Sequence, residues 1–514
     1  MDDAQHRTDD TGHSGHGGGS STHRHRLGTA GNGAGTPGAG ARAGTGLRRV
    51  APTVRPATPG LRAGAATAAA RRADASGTTS TADARVMTGV TIVIVALTVL
   101  QRFALPLGSP VPVTIPVVAA VLGYLAYHGH VRDDGASVRT YALAMGALTV
   151  FALVDIVWRG TGSLTSLLLL VVTWAALCFR VDERRLHLFP RVQRRFETFM
   201  LVFAAIGILQ VLVQFAGIWS YTDLLRSVVP QNLLFQGYNT SYPIEYGSPV
   251  IKANAFVFVE PSVFSQFLAL ALLSVLSRGK EYWRVAVFAV ALVCTVTGTG
   301  IMVLGFGLMV LAVRRGGLWA VRAAVVLAVA GVAALLSPVG PILLSRTGEA
   351  GQTNSSGSLR FVQPYEYLLN RWSSDPWSIL TGLGPGQADR ISDAIFAETG
   401  LPISFAGAVK MVLEYGVPAS VLAGVFLYVA VVRRSPAPTV ALAAIFLNAV
   451  TSSSFLAANI FYVLLPMAVL FVGRRTELSV WERQRRQVEQ TPGQHAAPFP
   501  VTVPSWNPTP GGTR

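Results

Sequence analysis

Cysteine is nearly absent from this chain: Cys178 and Cys294 are the only two in 514 residues, and both lie inside apolar segments. No loop or tail carries one, so a disulfide framework is not expected, and a cysteine-ligated metal site is excluded by count. Charge is scarce too, at 13% of residues against 51% hydrophobic, a composition foreign to soluble domains. Acidic side chains are the scarcer sign, 26 Asp and Glu against 42 Lys and Arg, for a formal charge of +16. In a soluble protein that excess would point to nucleic acid; here it falls mostly in tails and short connections between apolar runs, where membrane topology accounts for it and no nucleic-acid partner is expected. A cleavable signal peptide is not expected either, because no short apolar stretch ahead of a small-residue cleavage site precedes Val86.

What the chain does have is long hydrophobic runs. Crossing the hydrocarbon core takes about 20 residues of helix, and runs near that length recur between residues 86 and 473, giving about twelve spans. They fall near 86–105, 111–128, 138–158, 163–179, 196–217, 261–277, 282–297, 300–313, 318–337, 405–432, 438–452 and 456–473. Only Thr451-Ser452-Ser453-Ser454 divides the last two, so a count of about eleven is the alternative. The expected fold is therefore an all-α polytopic membrane protein. Residues 1–85 are rich in Gly, Ala, Arg and His (His6, His13, His16, His23 and His25 among them) with few large apolar residues, and read as a disordered tail. Residues 474–514, charged and then Pro-rich, read as a second one.

Basic residues set the orientation. Arg132 and Arg139, the Arg180–Arg195 group, Arg278, Lys280 and Arg284, Arg314, Arg315 and Arg322, and Arg433 with Arg434 fall in every second connection. The positive-inside rule makes those connections cytoplasmic, with both tails. The two longest connections, 218–260 and 337–403, then lie outside. The second far exceeds the roughly 12–15 residues of ordinary structureless loops, and such loops usually carry function. It contains Arg346, Arg360, Arg371 and Arg390 and the run Gly382-Leu383-Gly384-Pro385-Gly386. That run lacks the spacing of a nucleotide-binding loop and reads as a tight turn before a helix.

Ionisable groups near the outer ends of the spans are the candidate site. Glu260 precedes Pro261 at a helix start, where a carboxylate meets the positive end of the helix dipole; it is either a plain N-terminal charge or a functional carboxylate beside Lys252. Lys410 lies roughly 33 Å of helix back from Arg433, at the outer interface, with Glu414 one turn deeper. The two share a face, so a structural salt bridge is the competing reading. Asp155 with Arg159, and Gln210 with Gln214, repeat that spacing; the first pair reads as an interfacial ion pair, and the second serves either helix–helix hydrogen bonding or substrate.

A basic residue before an aromatic-rich stretch ending Glu260-Pro261, a short helix broken at Thr299-Gly300, and a late outer loop with Arg360, the Gly382–Gly386 turn and Leu413-Glu414-Tyr415-Gly416 occur in one order. Over residues 218–472 this pattern resembles the O-antigen polymerase and O-antigen ligase superfamily of bacterial polysaccharide assembly. The resemblance implies a GT-C-like, metal- and cofactor-independent glycosyltransferase of the cell membrane, working at its outer face on glycans carried by polyprenyl diphosphate, in company with other polysaccharide-assembly proteins. Lys252, Arg360 and Lys410, with Arg371 in reserve, would then hold the diphosphate. Glu260, and after it Glu414, would orient or deprotonate the acceptor hydroxyl. The chain departs from its relatives at Phe405, where they often keep a histidine, and at Thr299-Gly300, which lacks the usual arginine. The missing histidine speaks against ligase chemistry that leans on it, and a polymerase or a divergent transferase suits the sequence better. A transporter or flippase of lipid-linked oligosaccharide is the rival class; it would place polar groups near the bilayer midplane and repeat its halves, and neither feature is visible.

Overall fold

The computed structural model describes residues 80–473 apart from 108, 236–237, 246, 280, 317–320, 322–323, 326–327, 329–330, 333–356, 401–402, 453–454 and 456. The chain folds as antiparallel apolar helices: α1 (Thr81–Thr98), α2 (Thr114–Tyr127), α3 (Gly135–Val154), α4 (Leu164–Ala175), α5 (Phe189–Phe215), α6 (Pro261–Arg278), α7 (Tyr282–Cys294), α8 (Gly298–Arg315), two loop helices α9 (Pro376–Thr381) and α10 (Gln387–Thr399), then α11 (Gly407–Leu427), α12 (Pro438–Phe446) and α13 (Ala458–Phe461). Among the described residues, 6 helices are long and apolar enough to cross a membrane, and the shorter apolar helices 114–127, 164–178, 282–294, 438–451 and 458–469 complete the bundle. Most of the expected helix over 318–337, the tails 1–79 and 474–514, and Arg346 lie outside the described residues.

Several boundaries differ from expectation for local reasons. Ser80 caps α1 by accepting from the Asp83 amide at 3.2 Å, so the helix starts ahead of residue 86. It ends at Thr98, and the residues expected to continue it instead form a turn and a hairpin, Ala104–Leu107 against Ser109–Pro112. Asp134 and Ser163 cap α3 and α4 in the same way as Ser80.

α6 sits at the centre, with 89% of its apolar window buried; α5, α7, α8 and α12 pack around it. A Cβ on Gly300 would stand 2.6 Å from the Ser265 carbonyl oxygen, so α8 reaches α6 this closely only because the residue is glycine. The alternating helix directions give the bundle two distinct ends. One carries Arg180, Arg184, Arg185, Arg278, Arg284 and Arg434, tied by the strand pair Val131–Asp133 with Phe179–Val181. The other carries the N-terminus of α6, the long connections and the charged groups singled out above.

Candidate active site

The site is organised by a break in α11. Pro418 has no amide, so the Glu414 carbonyl loses its helical donor. Gly416, at φ 74°, takes the chain out of helical geometry just before it. The Gly-rich turn fills the gap: the Leu383 amide donates to the Leu413 carbonyl at 2.9 Å and the Gly384 amide to the Glu414 carbonyl at 3.0 Å. Contact is backbone on backbone, for a Cβ on Gly382 (φ +93°) would lie 2.3 Å from the Glu414 carbonyl oxygen. From the other side the Ser163 amide donates to Pro385 O at 2.7 Å. The tight turn before a helix is thus present, wedged between the α3–α4 connection and the α11 break, and α10 starts directly after it.

Asp155 and Arg159 do pair, at 3.7 Å, but they also grip the long loop. Thr381 donates its hydroxyl to Asp155 at 3.0 Å, while Arg159 donates to Gly382 O at 3.1 Å and pairs with Asp375 at 2.9 Å. Asp375 is held below the ordinary carboxylate range by the Ser378 hydroxyl first, then by the Trp377 amide and Arg159. The i,i+4 spacing shows the pair; nothing in the sequence shows its third and fourth partners.

Lys410 and Glu414 also meet, at 3.9 Å along α11. The stronger partner of Lys410 is Asp389 in the first turn of α10, both of whose carboxylate oxygens lie 2.7 Å from Nζ. Lys410 is 8% exposed, Asp389 69%. Glu414 is fully buried and accepts from the Ala388 amide at 3.2 Å through Oε1. In this conformation a substrate reaches Glu414 only if α10 moves.

Glu260 opens α6 with Pro261 in its first turn, as expected, and accepts from the Ser262 hydroxyl at 2.7 Å. Arg360, from the distant loop, comes within 3.6 Å of it. Burial, and then the fields of the Glu260 and Asp389 carboxylates, push the Tyr238 phenol well above its usual range.

Lys252 is buried with its ammonium 5.9 Å from the centre of the Tyr242 ring. Its segment is braced by Gln210, which accepts from the Asn254 and Ala255 amides at 3.2 and 3.1 Å, and by Gln214, which accepts from the Ile251 amide at 2.8 Å. Hydrogen bonding to this loop, rather than to a neighbouring helix, is what the two glutamines do. Ala255 and Phe256 both take left-handed backbone geometry here (φ 49° and 62°), strain of the kind functional loops hold. Arg102 anchors the same loop through Asp223 at 2.6 Å and the Phe256 carbonyl at 3.0 Å. Sequence reading missed Arg102 because the apolar run appeared to continue through it. The side chain of Arg371 lies outside the described residues. Phe405 is buried in one apolar cluster with Leu359, Trp372, Val409 and Leu413, with Tyr367 edge-on at 5.9 Å, so it serves as an apolar core residue.

A bundle of apolar helices that gathers charge at its two ends and carries little between is the architecture of a polytopic membrane protein. Residues 89–382 match the WcaD colanic acid polymerase family, and the chain belongs to that family of polysaccharide polymerases. The match takes in Lys252, Glu260 and Arg360 and stops before Asp389, Lys410 and Glu414. Curated proteins and solved structures give no match.

Proposed function

We propose that this protein is a glycosyltransferase that joins polyprenyl-diphosphate-linked repeat units into a polysaccharide at the outer face of the cell membrane. The fold in this reading has twelve spans in a GT-C-like arrangement, and both termini are cytoplasmic. The observation that carries the reading is the meeting of Glu260 and Arg360, from remote parts of the chain, at the mouth of the central helix, 13% and 30% exposed. An acid–base carboxylate beside an open guanidinium is what the transfer requires. The acceptor hydroxyl oxygen attacks the anomeric carbon of the donor and the bond from that carbon to the diphosphate oxygen breaks. The hydroxyl proton passes to Glu260, and the lipid diphosphate leaves with the bonding electrons. Arg360 neutralises the charge that develops on the leaving group. Lys410 and Lys252 are the further diphosphate ligands, with Arg371 in reserve, and Glu414, enclosed as it is, positions the Gly-rich turn and α10.

Deleting the gene and sizing cell-surface and secreted glycans tests the reading. Accumulated single repeat units are the expected result; full-length unattached chains would indicate a ligase instead, and unchanged glycans would sink both. Replacing Arg360 by Ala should lower polymer formation on the order of 100-fold, the usual loss for one charge-stabilising donor, with the protein still in the membrane. Polymer of normal length and amount from that variant removes Arg360 from the site.

A further inference from the structure

Lys410 is nearly enclosed, yet its closest partner is not. Asp389 reaches back from the first turn of α10 to place both oxygens 2.7 Å from Nζ, while about two thirds of its own side chain stays in solvent (69% exposed). The rest of α10 is anchored independently. Ala388, Ile391 and Ile395 sit in the apolar cluster with Val409 and Leu413, and the Ala388 amide is held by Glu414. The Asp389 carboxylate can therefore swing into water without moving the helix that carries it. Lys410 has no such freedom, because an enclosed ammonium needs an anion beside it at all times. Glu414, 3.9 Å away, remains when Asp389 leaves.

We infer that Asp389 is a built-in competitor for the phosphate subsite at Lys410: it covers the ammonium when the site is empty, yields to a diphosphate, and returns to expel the lipid diphosphate after transfer. The inference rests on the proposed function, in which Lys410 receives the donor diphosphate. Its chemistry concerns release. Before transfer the donor is a diphosphate diester; afterwards the terminal phosphate is free and carries more negative charge, so the product binds a cation more tightly than the donor does. A tethered carboxylate at high local concentration offsets that bias by recapturing Lys410. Asp389 in this role is a positioning residue that tunes release and takes no part in bond making.

The test measures binding of farnesyl diphosphate, with farnesol as the control for the prenyl chain, to the full-length protein in detergent by calorimetry. Asp389→Asn removes the competing charge from a mostly exposed side chain and should tighten farnesyl diphosphate binding roughly tenfold if Asp389 holds Lys410 nine-tenths of the time. Asp389→Glu should stay close to wild type, Lys410→Ala should weaken binding, and farnesol should not respond to any of them. In turnover assays Asp389→Asn should show stronger inhibition by the lipid diphosphate product. If the wild type binds farnesyl diphosphate and Asp389→Asn binds it equally or more weakly, the competitor role is overturned and the glycosyltransferase reading stands. A tightening that farnesol shares overturns it as well. If neither protein binds farnesyl diphosphate, both the inference and the diphosphate assignment fall.

Discussion

The two ends of the bundle use charge in opposite ways. At the basic end, Glu197 on α5 is completely enclosed and is closed off by Arg278 and Arg284, 19% and 18% exposed, with the Ser274 hydroxyl donating at 2.7 Å. Arg180 there spends its guanidinium on the Leu177, Phe179 and Ala430 carbonyls and on Ser137. At the site end, Lys410 meets an Asp389 that is mostly in water, and Arg360 and Glu260 are both partly open. A sealed ion pair joins helices; a pair with one partner in solvent can exchange that partner for a ligand. Between Glu197 and Lys410 it is burial of the partner, rather than the presence of an ion pair, that differs.

The sharpest way to break that contrast is at the sealed end. Replacing Glu197 by Ala takes the enclosed anion from Arg278 and Arg284 and leaves them only the more open Glu281, 3.9 and 2.8 Å away; losing one member of a buried pair costs about 3–5 kcal/mol. A large fall in thermal stability in detergent is expected, and a change within about 0.5 kcal/mol, the ordinary surface-mutation range, would show that this end is not sealed by charge. Asp389→Asn should cost less, since its own carboxylate is mostly in water and Glu414 stays beside the enclosed Lys410.

A middle-sized effect lies where the two long-range halves of the site touch. Gly382→Ala adds a Cβ at 2.3 Å from the Glu414 carbonyl oxygen in a backbone conformation of φ +93°. The conformation alone costs about 1–3 kcal/mol for a residue with a side chain. The turn should detach from the α11 break, seen as faster amide exchange at Leu383 and Gly384 and loss of polymerisation. Gly400→Ala also faces a positive φ but meets no neighbour within 4 Å, so it should leave those amides protected.

These contacts also mark where sequence reading reaches and where it stops. Helices, their alternation and the Pro261 start of α6 were legible because hydrophobic run length and proline position are local signals. Lys410 with Glu414 and Asp155 with Arg159 were legible because i,i+4 spacing fixes a shared face. Asp389, in contrast, is one acid among several in the same polar stretch, with Asp375, Asp393 and Glu398, and nothing local singles it out. Its partner lies 21 residues away, and the turn that delivers it is placed by a carbonyl that Pro418 leaves unpaired on another helix. Arg102 was hidden for a similar reason: α1 stops at Thr98 with no proline or glycine to mark the end, and only Asp223 and Phe256, more than a hundred residues on, give the arginine its place.

Asp223 supplies the smallest and most selective test of the contrast, because its pair with Arg102 is enclosed although it lies at the site end, and its charge can be removed by acid. Burial works against its ionised form, but hydrogen bonds from Arg102 and Thr240 and the Arg102 charge outweigh it and hold the carboxyl below its ordinary value. A carboxylate lowered in the folded state adds stability that is complete above its unfolded pKa of about 3.9 and is lost as pH falls through the lower folded value. Stability of the loop over 218–260 should therefore be flat from neutral pH down to roughly 4–5 and drop only below that. Amide exchange at Phe235, which donates to the Arg102 carbonyl, and at Lys252, which donates to the Tyr242 carbonyl, should report the change. Asp223→Asn, a neutral isostere, should bring the loosened loop to pH 7 and flatten the acid response while leaving the Lys410–Asp389 pair in place. A loop equally sensitive to acid in the variant would mean that another carboxylate, Glu260 foremost, holds it closed, and the brace of the 218–260 loop would then belong to the site rather than to the scaffold.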